Sequence, residues 1–287
     1  MKLSILKKLY HGYIWKRIFY EKITEPLHLN LISLFVFLFG SLKLKIAFDL
    51  VLRLPYAYSI LESAERAKKL GLKKISIIEF GVANGAGLKN MQDLARKITK
   101  ITSIEIDVYG FDTGKGMPPP QSFKDHPELY QEGDFEMNIQ LLKSKLNDNT
   151  KLIIGEINST IKEFIKKDFS DAPIAFLNID VDYYSSSVDC LEVLKIPANQ
   201  LMPSVIIYLD DLEDYTHNSW CGELAAVNEF TKNNLKRPIE RHYFFKSQRI
   251  MKNARWIDHI FQCHVLDHSI RNKLNTHRTK INLDNFY

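Results

Sequence analysis

The sequence predicts a doubly wound, mostly parallel α/β sheet preceded by a helical extension. Three observations carry this prediction. Short, isoleucine-rich apolar runs of strand length alternate with segments of helical period from residue 75 to residue 232. That alternation builds parallel sheets through right-handed crossovers. A glycine-rich turn, Gly81-Val-Ala-Asn-Gly-Ala-Gly87, joins the first run to the helix after it. Acidic residues recur where the runs end: Glu79, Asp112, Asp180, Asp182, Asp210 and Asp211. Ligands of such sheets bind beyond the carboxyl ends of the strands.

Residues 1–45 read as a helical extension, 46–268 as the main domain with an insertion at 113–149, and 269–287 as a polar tail. In the extension Lys2, Lys7, Lys8, Lys16 and Arg17 interleave with Leu3, Leu6, Leu9, Tyr10, Tyr13 and Ile14. Such an amphipathic pattern suits a helix docked on the core, a homo-oligomer contact or a peripheral membrane contact. The apolar run 31–39 ends at Gly40, Ser41 and two lysines, short of the roughly 20 residues a membrane span needs. It also lacks the cleavage-site pattern of a secretory signal. The net charge of +5 is mild and spread along the chain, which gives no reason to expect a nucleic-acid partner. Cys190, Cys221 and Cys263 are far apart, so neither a zinc site nor a disulfide framework is expected. The expected location is cytoplasmic, at most peripheral on the inner membrane surface.

Taken in order, Tyr56, Ile60, Ala64, Ala67 and Leu70 recur at helical spacing, and Gly71 stops that helix. Strand one is the four-residue run 75–78, followed by a helix over 88–98. Strand two is 104–112. The insertion opens with Gly114, Gly116 and three prolines that break regular structure, then reads as helical over 140–146. A long connection beside a strand end suits a lid or substrate loop, with a disordered surface loop as the competing reading. Strand three is 151–155. Thr160 and Glu163 have capping-box spacing and would start a helix running to Lys167. Strand four is 174–180, and Ser186 with Asp189 repeats the capping-box spacing. Strand five is 205–211, followed by a helix over 223–232. The late apolar segments 240–245 and 256–265 suit an antiparallel pair at the sheet edge.

The glycine spacing is G-x-x-x-G-x-G, not the G-x-G-x-x-G of dinucleotide folds. Glycines there let backbone N–H groups and a helix N-terminus approach a ligand. Glu79 would repel a pyrophosphate but suits a cationic ligand such as S-adenosylmethionine. Asp112 ends strand two, where an acid accepts hydrogen bonds from ribose hydroxyls. Asp180 and Asp182 are two apart, so an extended backbone points them to one side. Asp210 and Asp211 reach one site only if their strand has ended. Converging carboxylates repel unless a cation joins them, and a hard divalent ion such as Mg²⁺ is the natural partner. Such an ion lowers the pKa of a hydroxyl it holds, and a remaining carboxylate can serve as general base. Taken singly, each aspartate is better explained as a turn or helix cap, and it is the two pairs on neighbouring strands that favour a site.

Glu79-Phe-Gly-Val-Ala-Asn-Gly-Ala-Gly87, Tyr109-Gly-Phe-Asp-Thr-Gly-Lys-Gly-Met-Pro118, Asn178-Ile-Asp-Val-Asp-Tyr-Tyr-Ser-Ser186 and Leu209-Asp-Asp211 together resemble class I S-adenosylmethionine-dependent methyltransferases. Within that class they are most similar to the macrocin O-methyltransferase type, which methylates sugar hydroxyls with a divalent metal. The similarity runs from about Arg53 to about His268 and includes residues 125–135 of the insertion. It implies a Rossmann-like fold and a small-molecule or glycan acceptor. It implies that Glu79, Gly81, Val82, Asn84, Gly85 and Gly87 hold the methionine part of the cofactor and Asp112 its ribose. It further implies Asp180, Asp210 and Asp211 as Mg²⁺ ligands and Asp182 as the general base. Two positions of the pocket depart from the family pattern. The Gly-Asp pair usual after strand three is Gly155-Glu156 here, which puts Glu156 in the cofactor pocket, and an Asp-Thr just beyond is Ser159-Thr160.

The expected chemistry is in-line transfer of the sulfonium methyl to a hydroxyl oxygen, by positioning and charge. His217 reads as a surface-loop residue outside the catalytic set. The rival enzyme is a metal-dependent glycosyltransferase using Asp180-Val-Asp182 as a D-x-D motif, which leaves Glu79 and the glycine loop unexplained. A nicotinamide dehydrogenase is disfavoured by the glycine spacing. A non-catalytic methyltransferase-like scaffold is the third reading.

Overall fold

In chain order the helices and strands are α1 (Leu27–Phe39), α2 (Leu42–Ala47), α3 (Leu54–Lys69), β1 (Lys74–Phe80), α4 (Ala86–Thr102), β2 (Glu105–Asp112), α5 (Ile139–Lys143), β3 (Thr150–Ile154), α6 (Ile157–Phe164), β4 (Ile174–Ile179), α7 (Tyr184–Leu191), β5 (Leu201–Leu209), α8 (Gly222–Asn233), β6 (Ile239–Arg241), α9 (Phe245–Gln248) and β7 (Ile260–His264). The structure, a computed structural model, describes residues 18–212 and 218–273. The amphipathic reading of residues 1–17, His217 and most of the polar tail lie outside the described residues.

The strands form one sheet in the order β3-β2-β1-β4-β5-β7-β6. β1 to β5 are parallel, and β7 and β6 close the edge antiparallel, where the late apolar segments suggested a pair. The chain winds outward from β1 to β3 and then returns to lay β4 on the other side of β1. This topological switch point opens a crevice beyond the ends of β1 and β4. The chain therefore has the doubly wound α/β fold that the sequence predicts.

Alternation along β1 feeds two cores. Ile75 and Ile77 join α3 and α4 on one face, and Ile78 and Phe80 join α6, α7 and α8 on the other. Glu79 continues the Ile75–Ile77 row, so its carboxylate stands at the end of an apolar layer. Strand register then places Gly110, Glu79, Asn178 and Tyr208 side by side across four strands.

Both capping-box expectations fail. α6 begins at Ile157, so Thr160 lies within the helix and its hydroxyl donates back to the Glu156 carbonyl at 3.0 Å. α7 begins at Tyr184, ahead of Ser186, and its N-terminus is served from elsewhere: Asp125 of the insertion accepts from Ser185 N–H at 2.8 Å and from Gln121 N–H at 2.7 Å. Asp125 is wholly buried, as are Met117, Met137 and Leu142 nearly so. The insertion is thus a packed wall of the molecule and not a disordered loop. Asp125→Ala leaves two N–H groups, both partly buried, without their acceptor and opens a gap at a buried position, which costs about 2 kcal/mol. A thermal melt should show a drop of about 4–8 °C.

Candidate functional site

The switch point holds a cleft of about 430 Å³, a volume in the range of small-molecule sites. Its floor is the glycine loop after β1, and its far wall is the insertion, through Met117, Pro118, Tyr130 and Phe135. Glu79, Gly81, Val82, Asn84, Gly87, Asp112, Asp180, Asp182, Asp210 and Asp211 all line it. Two residues singled out from sequence do not. Gly85 is directed at Leu142 of α5, and Glu156 is an exposed residue just ahead of α6 whose carbonyl accepts from Thr160 N–H.

Glu79 is only 1 % exposed. One carboxylate oxygen accepts from the Tyr56 hydroxyl at 3.1 Å, and that hydroxyl in turn accepts from Asn178 Nδ2 at 2.8 Å. The other oxygen, Oε2, has no hydrogen-bond partner among the described residues. Burial, then the neighbouring Asp180, pushes the Glu79 carboxyl well above the usual range, against the pull of Arg53 and the Tyr56 hydrogen bond. A buried carboxylate with an unmet acceptor at a cleft wall fits a cationic group of a ligand. Gly87 belongs to the same arrangement, because a Cβ there would overlap the Glu79 carboxylate.

Asp112 has a second task besides lining the cleft. Its Oδ2 accepts from Val82 N–H at 3.0 Å and Ala83 N–H at 2.8 Å, and its Oδ1 from Gly114 N–H at 2.6 Å. It therefore clamps the glycine loop to the start of the insertion.

Both strands end before their aspartates, β4 at Ile179 and β5 at Leu209. The chain is then free to gather Asp180, Asp210 and Asp211, each offering an oxygen within 4.8 Å of the others. Extended-strand alternation is not what positions Asp182. The backbone turns left-handed there, φ +58°, and the Asp182 N–H donates to Asp211 Oδ2 at 3.2 Å. Asp182 lies outside the three-oxygen group yet faces the same cleft. The Tyr208 hydroxyl donates to Asp210 at 2.7 Å. Burial raises the Asp180 and Asp211 carboxyls well above the ordinary range, and repulsion from the neighbouring aspartates raises them further. Three oxygens at this separation are the hard donor set a divalent cation takes, and a cation would remove that repulsion.

Four participants escaped the sequence reading. Tyr56 looked like core periodicity, and its hydroxyl role depends on strands far along the chain. Asn178 had a signal, a polar residue inside an apolar strand. Glu223 looked like an ordinary first-turn acid of α8, but it is 1 % exposed and accepts from Asp211 N–H at 3.3 Å. Burial, then Asp211, raises its carboxyl well above the usual range. Arg53, just ahead of α3, brings a cation to the cleft and donates to the Tyr56 hydroxyl at 3.4 Å.

No protein-family model matches the sequence, and no curated protein sequence does. Among solved structures the chain is similar to CalS11, a calicheamicin methyltransferase, at 18 % identity over 72 % of this chain and 77 % of that one, with a TM-score of 0.51. An apo structure of CalS11, described as a TDP-rhamnose 3'-O-methyltransferase, aligns at 16 % identity over the same shares, with a TM-score of 0.42. A CmcI structure with Mg and SAM aligns at 14 % identity over 70 % of each chain, with a TM-score of 0.39. The first of these likenesses shows that the fold is the Rossmann-like one of class I methyltransferases.

Proposed function

We propose that the protein is an S-adenosylmethionine-dependent O-methyltransferase, assisted by a divalent cation, acting on a hydroxyl of a sugar, glycan or natural-product acceptor. The observation that carries this reading is the buried Glu79 carboxylate. It has an unmet acceptor, Oε2, above a glycine loop and beside the three-aspartate group. The fold shared with a calicheamicin methyltransferase supports it. When bound, S-adenosylmethionine supplies an activated methyl group and the cation supplies positive charge beside the acceptor hydroxyl.

The residues of this chain do the rest. Glu79, oriented by Tyr56 and Asn178, would hold a cationic group of the cofactor, and the loop Gly81–Gly87 would bring backbone N–H groups to it. Asp112 keeps that loop in shape. Asp180, Asp210 and Asp211 hold the cation, with Glu223 steadying Asp211 from behind. Asp182 accepts the hydroxyl proton at its carboxylate as the oxygen becomes nucleophilic. The insertion wall shields the cleft from water and shapes the acceptor site.

Thermal melting tests this reading. S-adenosylhomocysteine at about a hundred times its Kd should stabilise by about 2.7 kcal/mol, a rise of about 5–10 °C. NAD should give none. A rise with UDP-glucose and Mg²⁺, and none with S-adenosylhomocysteine, would move the aspartates to a glycosyltransferase. Mg²⁺ against EDTA gives a second readout. The Asp180 and Asp211 carboxyls sit above their unfolded range, so they hold protons that the unfolded chain has lost, and apo stability falls as pH rises above about 4. Cation binding displaces those protons, so the Mg²⁺ increment in melting temperature should grow with pH. An increment independent of pH speaks against these ligands.

A further inference from the structure

α1 is a 13-residue helix, Leu-His-Leu-Asn-Leu-Ile-Ser-Leu-Phe-Val-Phe-Leu-Phe, with no acidic or basic residue apart from His28. Leu27, Leu31, Leu34, Phe35, Leu38 and Phe39 are each 60 % exposed or more, and Ile32 and Phe37 are also exposed. Only Ser33 and Val36 are buried. At 100° per residue the exposed apolar positions sweep roughly 220° of the helix circumference. A helix packed on a protein partner needs an apolar stripe of about 100°. An arc twice that wide suits a surrounding solvent of acyl chains.

The inner side of α1 is fixed. Val36 packs with Phe48 and Met251, and Glu25 accepts from Lys252 N–H and, at 2.7 Å, from Asn253 N–H. Beyond α2, Asp49 pairs with the buried Arg249, which stacks on Tyr58, Phe245 and Trp256. The apolar arc is thus held outward by the body of the protein. At about 20 Å the helix is too short for a hydrocarbon core of about 30 Å, and no helix among the described residues can cross a membrane.

Charge completes the argument. Residues 1–47 carry eight basic and two acidic side chains, whereas the whole chain carries 39 and 34, so the remainder is close to neutral. The positive excess is concentrated on the sequence around the apolar helix. We propose that the α1–α2 segment is a monotopic membrane anchor. α1 lies in the interface of an anionic leaflet with its apolar arc among acyl chains, and the positive excess of the sequence around it favours an anionic surface.

The test is flotation of the full chain with vesicles of phosphatidylcholine alone or with one quarter phosphatidylglycerol, at low and high salt. Light scattering gives the mass in parallel. The expected result is flotation with the anionic vesicles, weakened by salt. The triple variant Leu31→Gln, Phe35→Gln, Leu38→Gln should bind at least about tenfold less. It should melt within about 2 °C of wild type, because these side chains face outward and glutamine favours helix. Absence of flotation with either vesicle overturns the proposal. Flotation unchanged in the triple variant overturns it too, since binding would then run through charge alone. A dimer that the triple variant splits, without flotation, assigns the face to a second copy of the chain.

Discussion

Asp182→Asn should lower kcat for methyl transfer by about 10²–10⁴-fold, the usual contribution of a positioned general base, while S-adenosylhomocysteine affinity stays within about twofold. The substitution isolates the proton-accepting role. The contact between Asp182 and Asp211 is made by the Asp182 backbone N–H, which asparagine keeps. The left-handed φ of +58° is one that asparagine adopts as readily as aspartate, so the turn is not strained further. The proposed cation ligands are Asp180, Asp210 and Asp211, and Asp182 contributes no oxygen to that group. The loss should therefore fall on kcat, with KM for the acceptor little changed. Asp210→Asn should behave differently, raising the Mg²⁺ concentration needed for half-maximal activity. Full activity in Asp182→Asn would remove Asp182 from the role of base, and a loss rescued by excess Mg²⁺ would place it among the cation ligands.

The glycine loop and the strand-end acids were legible because they depend on local signals. Isoleucine runs mark β1 and β4, three glycines mark a close approach, and an aspartate just after an apolar run marks a strand end. The parts that were not legible depend on which strands become neighbours. Tyr56 falls on the buried side of α3 by period alone, and nothing local says that its hydroxyl meets Glu79 and Asn178. The cap of α7 illustrates the same point. Ser186 and Asp189 offered a local cap, but Asp125, sixty residues earlier than Ser185, does that work because the insertion folds back over the helix. Asp182 was placed in the cleft by strand alternation, whereas a left-handed turn puts it there. Glu156 was drawn into the pocket by a family pattern that this chain does not follow. Its helix starts early enough to leave the side chain exposed.

Gly81→Ala should be the most damaging single-methyl change in the glycine loop. Gly81 sits at φ +81°, and a Cβ there would overlap the Asp180 carbonyl oxygen and lie 2.7 Å from its carbon. Both obstacles are backbone, pinned by the hydrogen bonds Gly81 N–H to Phe111 O and Asp180 N–H to Phe80 O, each 3.0 Å. No side-chain rotation relieves the overlap, so β1 and β4 must part at their ends. The left-handed conformation costs alanine about 1–2 kcal/mol and the overpacking about 1–3 more. The melting temperature should fall by about 10 °C. Gly81 stands between Glu79 and Asp180, so S-adenosylhomocysteine and Mg²⁺ binding should weaken together. Gly71→Ala is the control. It has φ +75° but nothing within 4 Å of a Cβ, so it should cost about 1 kcal/mol and leave both affinities intact. If the two variants melt alike and bind alike, the approach of the two strand ends is not what joins the cofactor pocket to the aspartate group.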